Sequence, residues 1–582
     1  MTTAPRKRII IAGGVAGGMS CATRLRRLDE HAEITVLEKG PFVSYANCGI
    51  PYALGNVIDG EAKLLVQTPE KIHSWFNVDV RINTELLSIN RTSKTVKIRK
   101  TETGEEETLP YDKLVLALGA EPVNPPIEGV KLPHVFHLTT IADLRGIEDY
   151  VKSMNPHSAA VIGGAFIGLE AVENLRALGL KEVSVVERSP HVFPETTDPD
   201  MAYPLGKELK KHDVKLYTNA NVVKLEPGFV HVEGRENPVP ADLVIMAAGV
   251  RPRVAIPREA GLEIGTSRAR ALRVNEHMQT SDPDIYAVGD MVETPHRVLG
   301  KPTELALAGP ANRQGRLVAD HICGKKGSTV NYRGNIGTSV CKVFDQTIGT
   351  VGLSEAHLDR AGIRHNSVTV HPVNHAGYYP GSTRLIMKVH FDHETGAILG
   401  GQVVGPDSVD KQMDVLAVAM TAGMTVQDLE HLELAYAPPY GAAKDAVNMA
   451  GFVAGNVMRG DLKTVHASDF TSTDVKPAKL HLDDFLVLDV RSPHEFGTGH
   501  IAGAVNIPIG DLRGSIADGE LDEYRGKDSH KTIITYCAVG YRGYLAYRIL
   551  QQDGFERVAN LDGGLRAVTE GGFDMSLQRI QL

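Results

Sequence analysis

Several features that would mark special classes of protein are scarce or absent in this sequence. Its 582 residues include five cysteines, 62 Lys and Arg against 71 Asp and Glu, and 5% aromatic residues. Five cysteines spread over the whole length do not make the disulfide framework of a small secreted domain, and we predict a cytoplasmic protein. The net charge of -9 does not indicate nucleic-acid binding. No run of about 18 apolar residues occurs, so no membrane span is expected.

The length predicts several domains, because a single hydrophobic core rarely extends over so many residues. The N-terminus places basic residues before a short apolar run, as a secretory signal would, but Gly13 and Gly14 interrupt that run at once. A first β-strand over residues 8–12 explains the pattern better.

A glycine-rich loop follows this strand and precedes a predicted helix that runs to Arg27. A second strand, residues 34–37, ends in Glu38, about 20 residues beyond the loop. In such a βαβ unit, loop N–H groups approach a pyrophosphate and the acidic residue binds ribose hydroxyls. Val15 stands where a middle glycine is usual. The predicted cofactor contacts are Gly13, Val15, Ala16, Gly17, Gly18, Glu38 and Lys39.

The same unit occurs again after residue 158. A strand over residues 159–162, a glycine loop, a helix over residues 169–178 and a strand ending at Glu187 follow each other in order. Two such units predict two nucleotides, most economically FAD and a nicotinamide cofactor. Glu187 would repel a 2′-phosphate and favours NADH, while Arg188 keeps NADPH possible. The predicted contacts are Gly163, Phe166, Ile167, Gly168 and Glu187.

A lone cysteine, Cys48, follows the first unit in the stretch Ser44 to Tyr52. A reactive cysteine needs an electropositive, partly exposed setting that stabilises the thiolate. Asn47 and Ser44 could supply hydrogen bonds. A buried structural cysteine beside a Gly-Ile-Pro turn is the alternative interpretation.

This stretch resembles the single-cysteine active-site segment of coenzyme A disulfide reductases, within the pyridine nucleotide-disulfide oxidoreductase family. Relatives with two cysteines separate them by four residues, and neither Ser44 nor Tyr52 is cysteine, so the resemblance implies that Cys48 pairs with an external sulfur. Residues 280–290 resemble the second flavin motif of the family, ending in Asp290, although an aspartate in a Gly-Asp turn is often only structural. The further flavin and nicotinamide contacts that the resemblance implies are Asn47, Ala117, Gly119, Gly249, Asp290, Ala308 and Tyr436.

A third unit, residues 335–454, resembles the dimerisation domain of the family. The resemblance implies a homodimer with shared active sites, in which Tyr378, Tyr379 and Tyr436 approach the flavin and cysteine of the other subunit. Without the resemblance, the alternative interpretation is that each tyrosine only packs within its own loop. The implied coenzyme A contacts are Ser20, Arg24, Arg27, Ser44, Asn47, Lys71 and Lys444. Arg24 and Arg27 are three residues apart and therefore lie on one face of the helix. This face either binds the phosphates of coenzyme A or is simply a solvated basic surface.

The C-terminal part is similar to a rhodanese domain. A strand over residues 532–536 delivers Cys537 to the start of a helix, where loop N–H groups and the helix end stabilise a thiolate or persulfide. Arg542 fits the loop spacing. Ala538 replaces an arginine that is common in rhodaneses, which puts an anionic donor such as thiosulfate in doubt. Cysteines 21, 323 and 341 are interpreted as core residues, and no metal site is predicted.

The predicted fold class is α/β, with two Rossmann-like domains, an α+β dimerisation domain and a rhodanese domain. Their predicted bounds are 1–120 with 250–332 for FAD, 121–249 for NAD(P), 333–455 for dimerisation, 456–477 for a polar connector and 478–582 for rhodanese. We predict a reductase that passes electrons from NADH through FAD and Cys48 to a coenzyme A persulfide, a polysulfide or coenzyme A disulfide, while Cys537 carries sulfane sulfur. An NADH oxidase or peroxidase with a Cys48 sulfenic acid and a flavin-bearing redox sensor are the alternatives. Ala16 stands where peroxidase-like relatives have histidine.

Overall fold

The computed structural model describes residues 6–324, 331–470, 479–526, 531–575 and 577–578. These residues form two units, one of residues 1–188 with 220–337 and one of residues 189–219 with 338–582. Among the described residues, none of the helices combines the length and apolar composition that crossing a membrane requires.

The described residues form sixteen α-helices. They are Ala16–Leu28 (α1), Ile50–Leu54 (α2), Pro69–Phe76 (α3), Ile141–Met154 (α4), Phe166–Ala177 (α5), Pro199–Lys211 (α6), Ala255–Glu259 (α7), Ala308–Ile322 (α8), Glu355–Ala361 (α9), Val409–Ala422 (α10), Val426–Glu430 (α11), Ala446–Met458 (α12), Pro493–Gly497 (α13), Leu512–Ala517 (α14), Tyr541–Gln552 (α15) and Gly564–Gly571 (α16).

The strands of the first half are Arg8–Ala12 (β1), Glu33–Leu37 (β2), Asp79–Arg81 (β3), Thr84–Asn90 (β4), Thr95–Lys100 (β5), Glu106–Pro110 (β6), Lys113–Leu116 (β7), Ala120–Pro122 (β8), Val135–Phe136 (β9), Ser158–Ile162 (β10), Glu182–Val186 (β11), Val214–Tyr217 (β12), Val222–Glu226 (β13), Gly228–Val232 (β14), Val239–Ala241 (β15), Leu243–Met246 (β16), Val250–Pro252 (β17) and Leu272–Arg273 (β18).

Those of the second half are Ile285–Ala287 (β19), Val292–Pro295 (β20), Pro302–Glu304 (β21), Ser339–Val343 (β22), Gln346–Gly352 (β23), His365–Val370 (β24), Ile386–Asp392 (β25), Ile398–Gly405 (β26), Thr464–Val465 (β27), Phe485–Asp489 (β28), His500–Ile501 (β29), Val505–Asn506 (β30), Thr532–Tyr536 (β31), Val558–Leu561 (β32) and Leu577–Gln578 (β33).

The first unit contains two parallel sheets. One has the order β19-β7-β1-β2-β3, and the other contains β11-β10-β16-β9. Strands β1 and β10 are central in their sheets and buried almost throughout, which explains their continuous apolar sequences. A βα loop follows each of these strands, and both loops lie at the carboxyl edge where parallel sheets bind ligands.

The second unit contains an antiparallel sheet of order β22-β23-β26-β25-β24 and a parallel sheet of order β27-β32-β31-β28-β30. Strand β31 lies at the centre of the parallel sheet and places Cys537 directly after its carboxyl end. The predicted strand over residues 532–536 is confirmed.

Residues 189–219, which the sequence assigned to the nicotinamide domain, group with the second unit. The contacts of Asp198, whose side chain is 1% exposed, explain this grouping. Its carboxylate lies 2.8 Å from His390 Nε2 and 3.0 Å from Lys388 Nζ, and it accepts the N–H of Glu355 at 2.8 Å. These charges hold the pKa of Asp198 well below its ordinary value despite burial. Removing one partner would leave an unpaired charge in the protein interior, at a large cost in stability. These ion pairs therefore fix the segment against the antiparallel sheet.

The segment 456–477, predicted as a polar connector, differs from that expectation where it is described. Helix α12 continues to Met458, and β27 pairs in parallel with β32 at the edge of the C-terminal sheet. Residues 471–477 lie outside the described part of the chain. Strand pairing at Thr464 and Val465 is a long-range contact, which polar composition does not reveal.

Candidate active sites

The first glycine loop is shaped by backbone contacts that exclude side chains. Gly13 has φ +114°, and a Cβ there would lie 2.1 Å from the carbonyl oxygen of Ala117. A Cβ on Gly18 would lie 1.9 Å from the carbonyl oxygen of Gly13. Glu38 accepts the N–H of Gly14 at 2.8 Å and so closes the loop onto the end of β2. Glycine at positions 13 and 18 is therefore required by the packing of α1 on its sheet.

The second loop repeats this geometry closely. Gly163 has φ +113°, and its Cβ would lie 2.2 Å from the carbonyl oxygen of Ala247. A Cβ on Gly168 would lie 2.0 Å from the carbonyl oxygen of Gly163. The buried Glu187 accepts the N–H of Gly164 at 2.7 Å. Two loops with one geometry in one unit support two dinucleotide sites.

The residues around these loops fit dinucleotide cofactors. Neither Val15 nor Ala165, the residues that precede α1 and α5, caps its helix with a side chain. Amide groups at the start of these two helices can therefore bind a pyrophosphate. Phe166 and Ile167 lie half-buried in the first turn of α5, while Lys39 is largely exposed and pairs with Glu85 at 2.7 Å.

Asp290 lies in a short 3₁₀ turn, Gly289–Met291, after β19. Burial raises the pKa of its carboxyl group, and no described residue donates a hydrogen bond to it. Helix α8 begins at Ala308 and crosses α1 so closely that a Cβ on Gly315 would lie 2.2 Å from the carbonyl oxygen of Gly17. A half-buried acceptor beside this crossing fits a sugar-like hydroxyl of a bound cofactor.

Cys48 is exposed at the surface of a 3₁₀ turn, Asn47–Gly49, that leads into α2. Ser44, at φ +48°, donates its N–H to the carbonyl oxygen of Gly14 at 2.8 Å and so ties this turn to the glycine loop. None of the five cysteines forms a disulfide. Cys48 is therefore free for a sulfur from another molecule.

The electrostatic setting of Cys48 differs from the sequence-based expectation. Desolvation, followed by the carboxylates of Glu170 and Asp290, raises the pKa of the thiol rather than lowering it. Glu170 lies on α5 and accepts a hydrogen bond from the Tyr52 hydroxyl at 3.1 Å. Burial raises the pKa of Glu170 as well. Sequence reasoning missed Glu170, because it is more than 100 residues from Cys48 and is brought near only by the tertiary fold.

The predicted coenzyme A contacts on α1 do not form one free basic face. Arg24 pairs with Asp320 at 2.8 Å, and both side chains are mostly buried, whereas Arg27 is exposed. The Ser20 hydroxyl donates to Asn312 at 2.5 Å. Arg24 therefore already has a carboxylate partner on α8, whereas Arg27 does not share it, and the phosphate-clamp role of the arginine pair stays a prediction. Lys71 is exposed on α3.

Two of the predicted tyrosines meet in the second unit. The hydroxyls of Tyr378 and Tyr436 lie 3.0 Å apart, although 58 residues separate them in sequence, and this hydrogen bond raises the pKa of Tyr378. Tyr378 is 77% exposed, Tyr436 48% and Tyr379 42%, and Lys444 is exposed as well. Large exposed aromatic side chains of this kind are typical of surfaces that bind a partner or ligand.

Cys537 lies buried in the loop between β31 and α15. The N–H of Leu565 donates to the Cys537 carbonyl oxygen at 2.8 Å, and that of Arg566 donates to Ala538 at 3.0 Å. A Cβ on Gly564 would lie 2.5 Å from the Cys537 carbonyl oxygen. The loop is thus braced by the start of α16, and its geometry requires glycine at position 564.

Arg542, in the first turn of α15, forms a bidentate ion pair with Glu495 on α13. The two distances between guanidinium nitrogens and carboxylate oxygens are 2.6 and 2.8 Å. The guanidinium lowers the pKa of Glu495 to about 2. Glu495 and the thiol of Cys537 both raise the pKa of Arg542. The Arg542 guanidinium thus lies beside Cys537, where its N–H groups can contact sulfur carried by the cysteine. No sequence signal paired Glu495 with Arg542, because 47 residues separate them along the chain.

Comparisons with known proteins agree with this geometry. The profile described as pyridine nucleotide-disulphide oxidoreductase matches residues 7–315, its dimerisation domain matches residues 338–447, and the rhodanese-like domain matches residues 474–570. The chain belongs to the pyridine nucleotide-disulphide oxidoreductase family. The predicted fold class is confirmed.

This oxidoreductase is similar along its length to several characterised chains. The coenzyme A disulfide reductase of Staphylococcus haemolyticus is 33% identical over 453 residues, 77% of this chain and 99% of the relative. The structure of reduced Bacillus anthracis CoADR-RHD is 41% identical with a TM-score of 0.91 and covers 98% of both chains. The NAD-dependent persulfide reductase from A. fulgidus is 35% identical with a TM-score of 0.86, covering 96% of this chain and 99% of its own.

Replacing Glu170 by glutamine is expected to lower the pKa of Cys48 in this oxidoreductase. The carboxylate destabilises the nearby thiolate, so removing it shifts the pH profile of thiol alkylation to lower pH. The rate of iodoacetamide labelling at Cys48, followed by mass spectrometry across pH, measures this shift. Glu173→Gln, three residues away on α5, is the control, and an unchanged profile in Glu170→Gln would contradict the assignment.

Asp562, which no sequence pattern marked, connects the dimerisation domain to the Cys537 loop. Its carboxylate accepts the buried N–H of Thr369 on β24 at 2.7 Å and lies 3.4 Å from Nδ1 of His466. The next residue, Gly563, packs so closely on His371 that a Cβ would lie 3.1 Å from its Nε2. Asp562 is thus a positioning residue, because it fixes the Gly563-Gly564 pair that braces Cys537.

Replacing Asp562 by alanine is expected to slow sulfur transfer at Cys537 and to lower the melting temperature. The substitution leaves the buried Thr369 N–H without its acceptor, at a cost of about 1–3 kcal/mol. Asp562→Asn keeps an acceptor oxygen and should retain most of both properties. Thermal unfolding and persulfide transfer from polysulfide measure the effect, with the exposed Asp553→Ala as control. Equal losses in the alanine and asparagine variants would contradict this role.

Proposed function

We propose that this oxidoreductase passes electrons from NADH through FAD to sulfur bound at Cys48, with a coenzyme A persulfide, a polysulfide or coenzyme A disulfide as acceptor. The observation that carries the proposal is an exposed Cys48 without a partner cysteine, in the unit that contains both dinucleotide folds. The similarity to a coenzyme A disulfide reductase and to a persulfide reductase supports the choice of acceptors.

The cofactor contacts follow from the two loops. Gly13, Gly18, Glu38 and Asp290 would hold FAD, which when bound accepts a hydride from NADH and passes two electrons to the sulfur at Cys48. Gly163, Gly168 and Glu187 would hold NADH, with Phe166 covering the nicotinamide site. Glu187 disfavours a 2′-phosphate, so NADH should be preferred over NADPH.

The reaction at Cys48 balances for each acceptor. The Cys48 thiolate attacks a sulfur of the acceptor and forms a mixed disulfide or persulfide, while a thiolate leaves. Two electrons from NADH then break this S–S bond. One NADH and one proton thus convert a persulfide to a thiol and hydrogen sulfide, or coenzyme A disulfide to two coenzyme A thiols.

In this proposal the rhodanese domain supplies sulfane sulfur through Cys537. Cys537 takes a sulfur atom from polysulfide as a persulfide, held near Arg542, and passes it to coenzyme A for reduction at Cys48. A homodimer with tyrosines of one subunit beside the active site of the other stays a prediction, which the match to the dimerisation domain supports. A cytoplasmic location stays a prediction as well.

Anaerobic assays of the purified holoenzyme test the proposal. NADH oxidation, hydrogen sulfide and free thiol are measured with coenzyme A persulfide, polysulfide and coenzyme A disulfide in turn, and repeated with NADPH. We expect NADH-dependent turnover of at least one coenzyme A substrate, with stoichiometric thiol or sulfide. NADH consumption only with oxygen or peroxide would favour an oxidase or peroxidase and overturn the proposal, and slow turnover with every acceptor would favour a redox sensor.

A further inference from the structure

The end of helix α6 brings together three side chains of the types that bind metal ions. Glu208 lies in the last turn of α6, His212 follows the helix directly, and Asp345 lies in the two-residue turn between β22 and β23. Among the described residues, these are the only three side chains of His, Cys, Asp or Glu whose possible ligand atoms all lie within 4.8 Å of one another. The sequence predicted no metal site, because 133 residues separate His212 from Asp345.

The distances between these atoms are close to those of a zinc site. The Nε2 atom of His212 lies 2.9 Å from Oε1 of Glu208 and 3.3 Å from Oδ2 of Asp345. In a tetrahedral zinc site with bonds of about 2.0–2.1 Å, two ligand atoms lie about 3.3 Å apart. His212 and Glu208 therefore need to separate by only about 0.4 Å to share a metal ion. The side chain of Asp345 is 63% exposed, so water can reach a fourth ligand position.

Two further contacts hold the ligand side chains in place. The side chain of Glu208 is only 6% exposed, and its Oε1 accepts the backbone N–H of Asp345 at 3.2 Å. The His212 ring stacks on Phe344, with ring centroids 4.1 Å apart and an angle of 7° between the planes. Ligands that are already oriented lose little freedom when a metal ion binds, so this arrangement favours binding.

The position of Lys211 shows that this group attracts a cation. Its Nζ lies 3.2 Å from Oε1 of Glu208 and 2.7 Å from Oδ2 of Asp345, the same two oxygens that His212 faces. Two carboxylates and one ammonium group leave a net negative charge, which a divalent cation would neutralise. The Lys211 side chain is 57% exposed, so its ammonium group can move into solvent when a metal ion takes its place.

We propose that Glu208, His212 and Asp345 bind one Zn²⁺ ion, with a water molecule as the fourth ligand and with displacement of Lys211. One imidazole and two carboxylates in a tetrahedral arrangement suit zinc, whereas Mg²⁺ requires six ligands, almost always oxygen. This site does not depend on the function proposed for Cys48, because none of its residues belongs to the cysteine or dinucleotide sites.

The ion joins the C-terminal end of α6 to the β22–β23 turn. The opposite end of this helix is already fixed, because Asp198, which precedes its first residue, forms the buried ion pairs with the antiparallel sheet. Between the two ends, Lys207 Nζ donates to the carbonyl oxygen of Thr569 on α16 at 2.8 Å. Zinc binding therefore stabilises a helix that contacts both the antiparallel sheet and the helix beside the Cys537 loop.

Zinc content measures the site directly. The holoenzyme is treated with EDTA, desalted and dialysed against Zn²⁺, and the bound metal is counted by elemental analysis. We expect the parent protein to bind one zinc ion more than His212→Ala, since zinc held by cysteines is the same in both. Asp345→Asn should weaken this binding at least about 10-fold, and Lys211→Met should strengthen it about 2- to 10-fold. His231→Ala is the control, because His231 faces the single carboxylate of Glu226, at 2.9 Å, and should bind zinc like the parent protein.

Thermal unfolding of the same proteins gives a second measurement. Zn²⁺ should raise the melting temperature of the parent protein and of Lys211→Met, but not that of His212→Ala or Asp345→Asn, and Mg²⁺ should raise none of them. Asp345→Asn changes an exposed side chain, so it tests the site even if His212→Ala does not fold. Equal zinc content in the parent protein and the ligand variants, an equal response to Mg²⁺, or weaker zinc binding in Lys211→Met overturns the inference.

Discussion

Cys48→Ser is expected to abolish NADH-dependent reduction of every sulfur acceptor, by at least about 1,000-fold in kcat. A serine hydroxyl is a far weaker nucleophile than a thiolate and cannot form a disulfide with the acceptor. Anaerobic NADH oxidation with coenzyme A persulfide and coenzyme A disulfide measures the loss.

The matched control for this substitution is Cys323→Ser. Cys323 lies half-buried just after α8 in the same unit, and burial raises the pKa of its thiol. This variant should keep normal turnover and the flavin absorbance of the parent protein. If Cys48→Ser retained turnover while it bound FAD normally, the assignment of Cys48 as the sulfur-accepting residue would be wrong.

Cys537→Ser is expected to remove sulfur transfer from polysulfide to coenzyme A, again by at least about 1,000-fold, while reduction of coenzyme A disulfide continues. The thiol lies in a loop that hydrogen bonds from α16 hold in place, beside the Arg542 guanidinium, which can contact a persulfide there. Coenzyme A disulfide already carries its own S–S bond and needs no sulfur from Cys537. The two assays are run on the same preparation, with sulfide and thiol measured in parallel.

Cys341→Ser is the control for Cys537→Ser. Both cysteines are buried in the second unit, but Cys341 is on β22 in the antiparallel sheet. Equal loss of sulfide from polysulfide in both variants would indicate a general disturbance of the unit. Loss of coenzyme A disulfide reduction in Cys537→Ser would show that the two cysteines act in one obligatory sequence rather than as donor and acceptor of sulfur.

Local sequence patterns were sufficient for both glycine loops and for the strand and helix on either side of Cys537, but they did not predict the 3₁₀ turn and helix at Cys48. The loops of residues 13–18 and 163–168 require glycine because their backbones pass within contact distance of neighbouring carbonyl groups. The resulting glycine spacing after an apolar strand can be recognised directly in the sequence. Strands such as β16 are buried on both faces, and their sequences are continuous apolar runs. The roles of the individual site residues stay predictions until the variants are measured.

The electrostatic environment could not be predicted in the same way. Glu170 approaches Cys48, and Asp320 neutralises Arg24, although each pair is separated by more than 100 residues in sequence. The expectation of an electropositive setting for Cys48 and of a two-arginine clamp on α1 both assumed that only local neighbours matter. Coulomb interactions depend on distance in space, so helices that pack together decide which charges remain available.

The sequence by itself determined that this chain has two dinucleotide folds, a single-cysteine segment and a cysteine at a strand-to-helix loop, because glycine spacing, apolar strands and turn residues act over a few positions. Only the tertiary structure decided which groups surround those cysteines. The Asp562 hydrogen bond to Thr369 and the grouping of residues 189–219 with the second unit both depend on contacts between distant segments. Such contacts form where buried area and satisfied hydrogen bonds are gained by the whole fold, which no short stretch of sequence specifies.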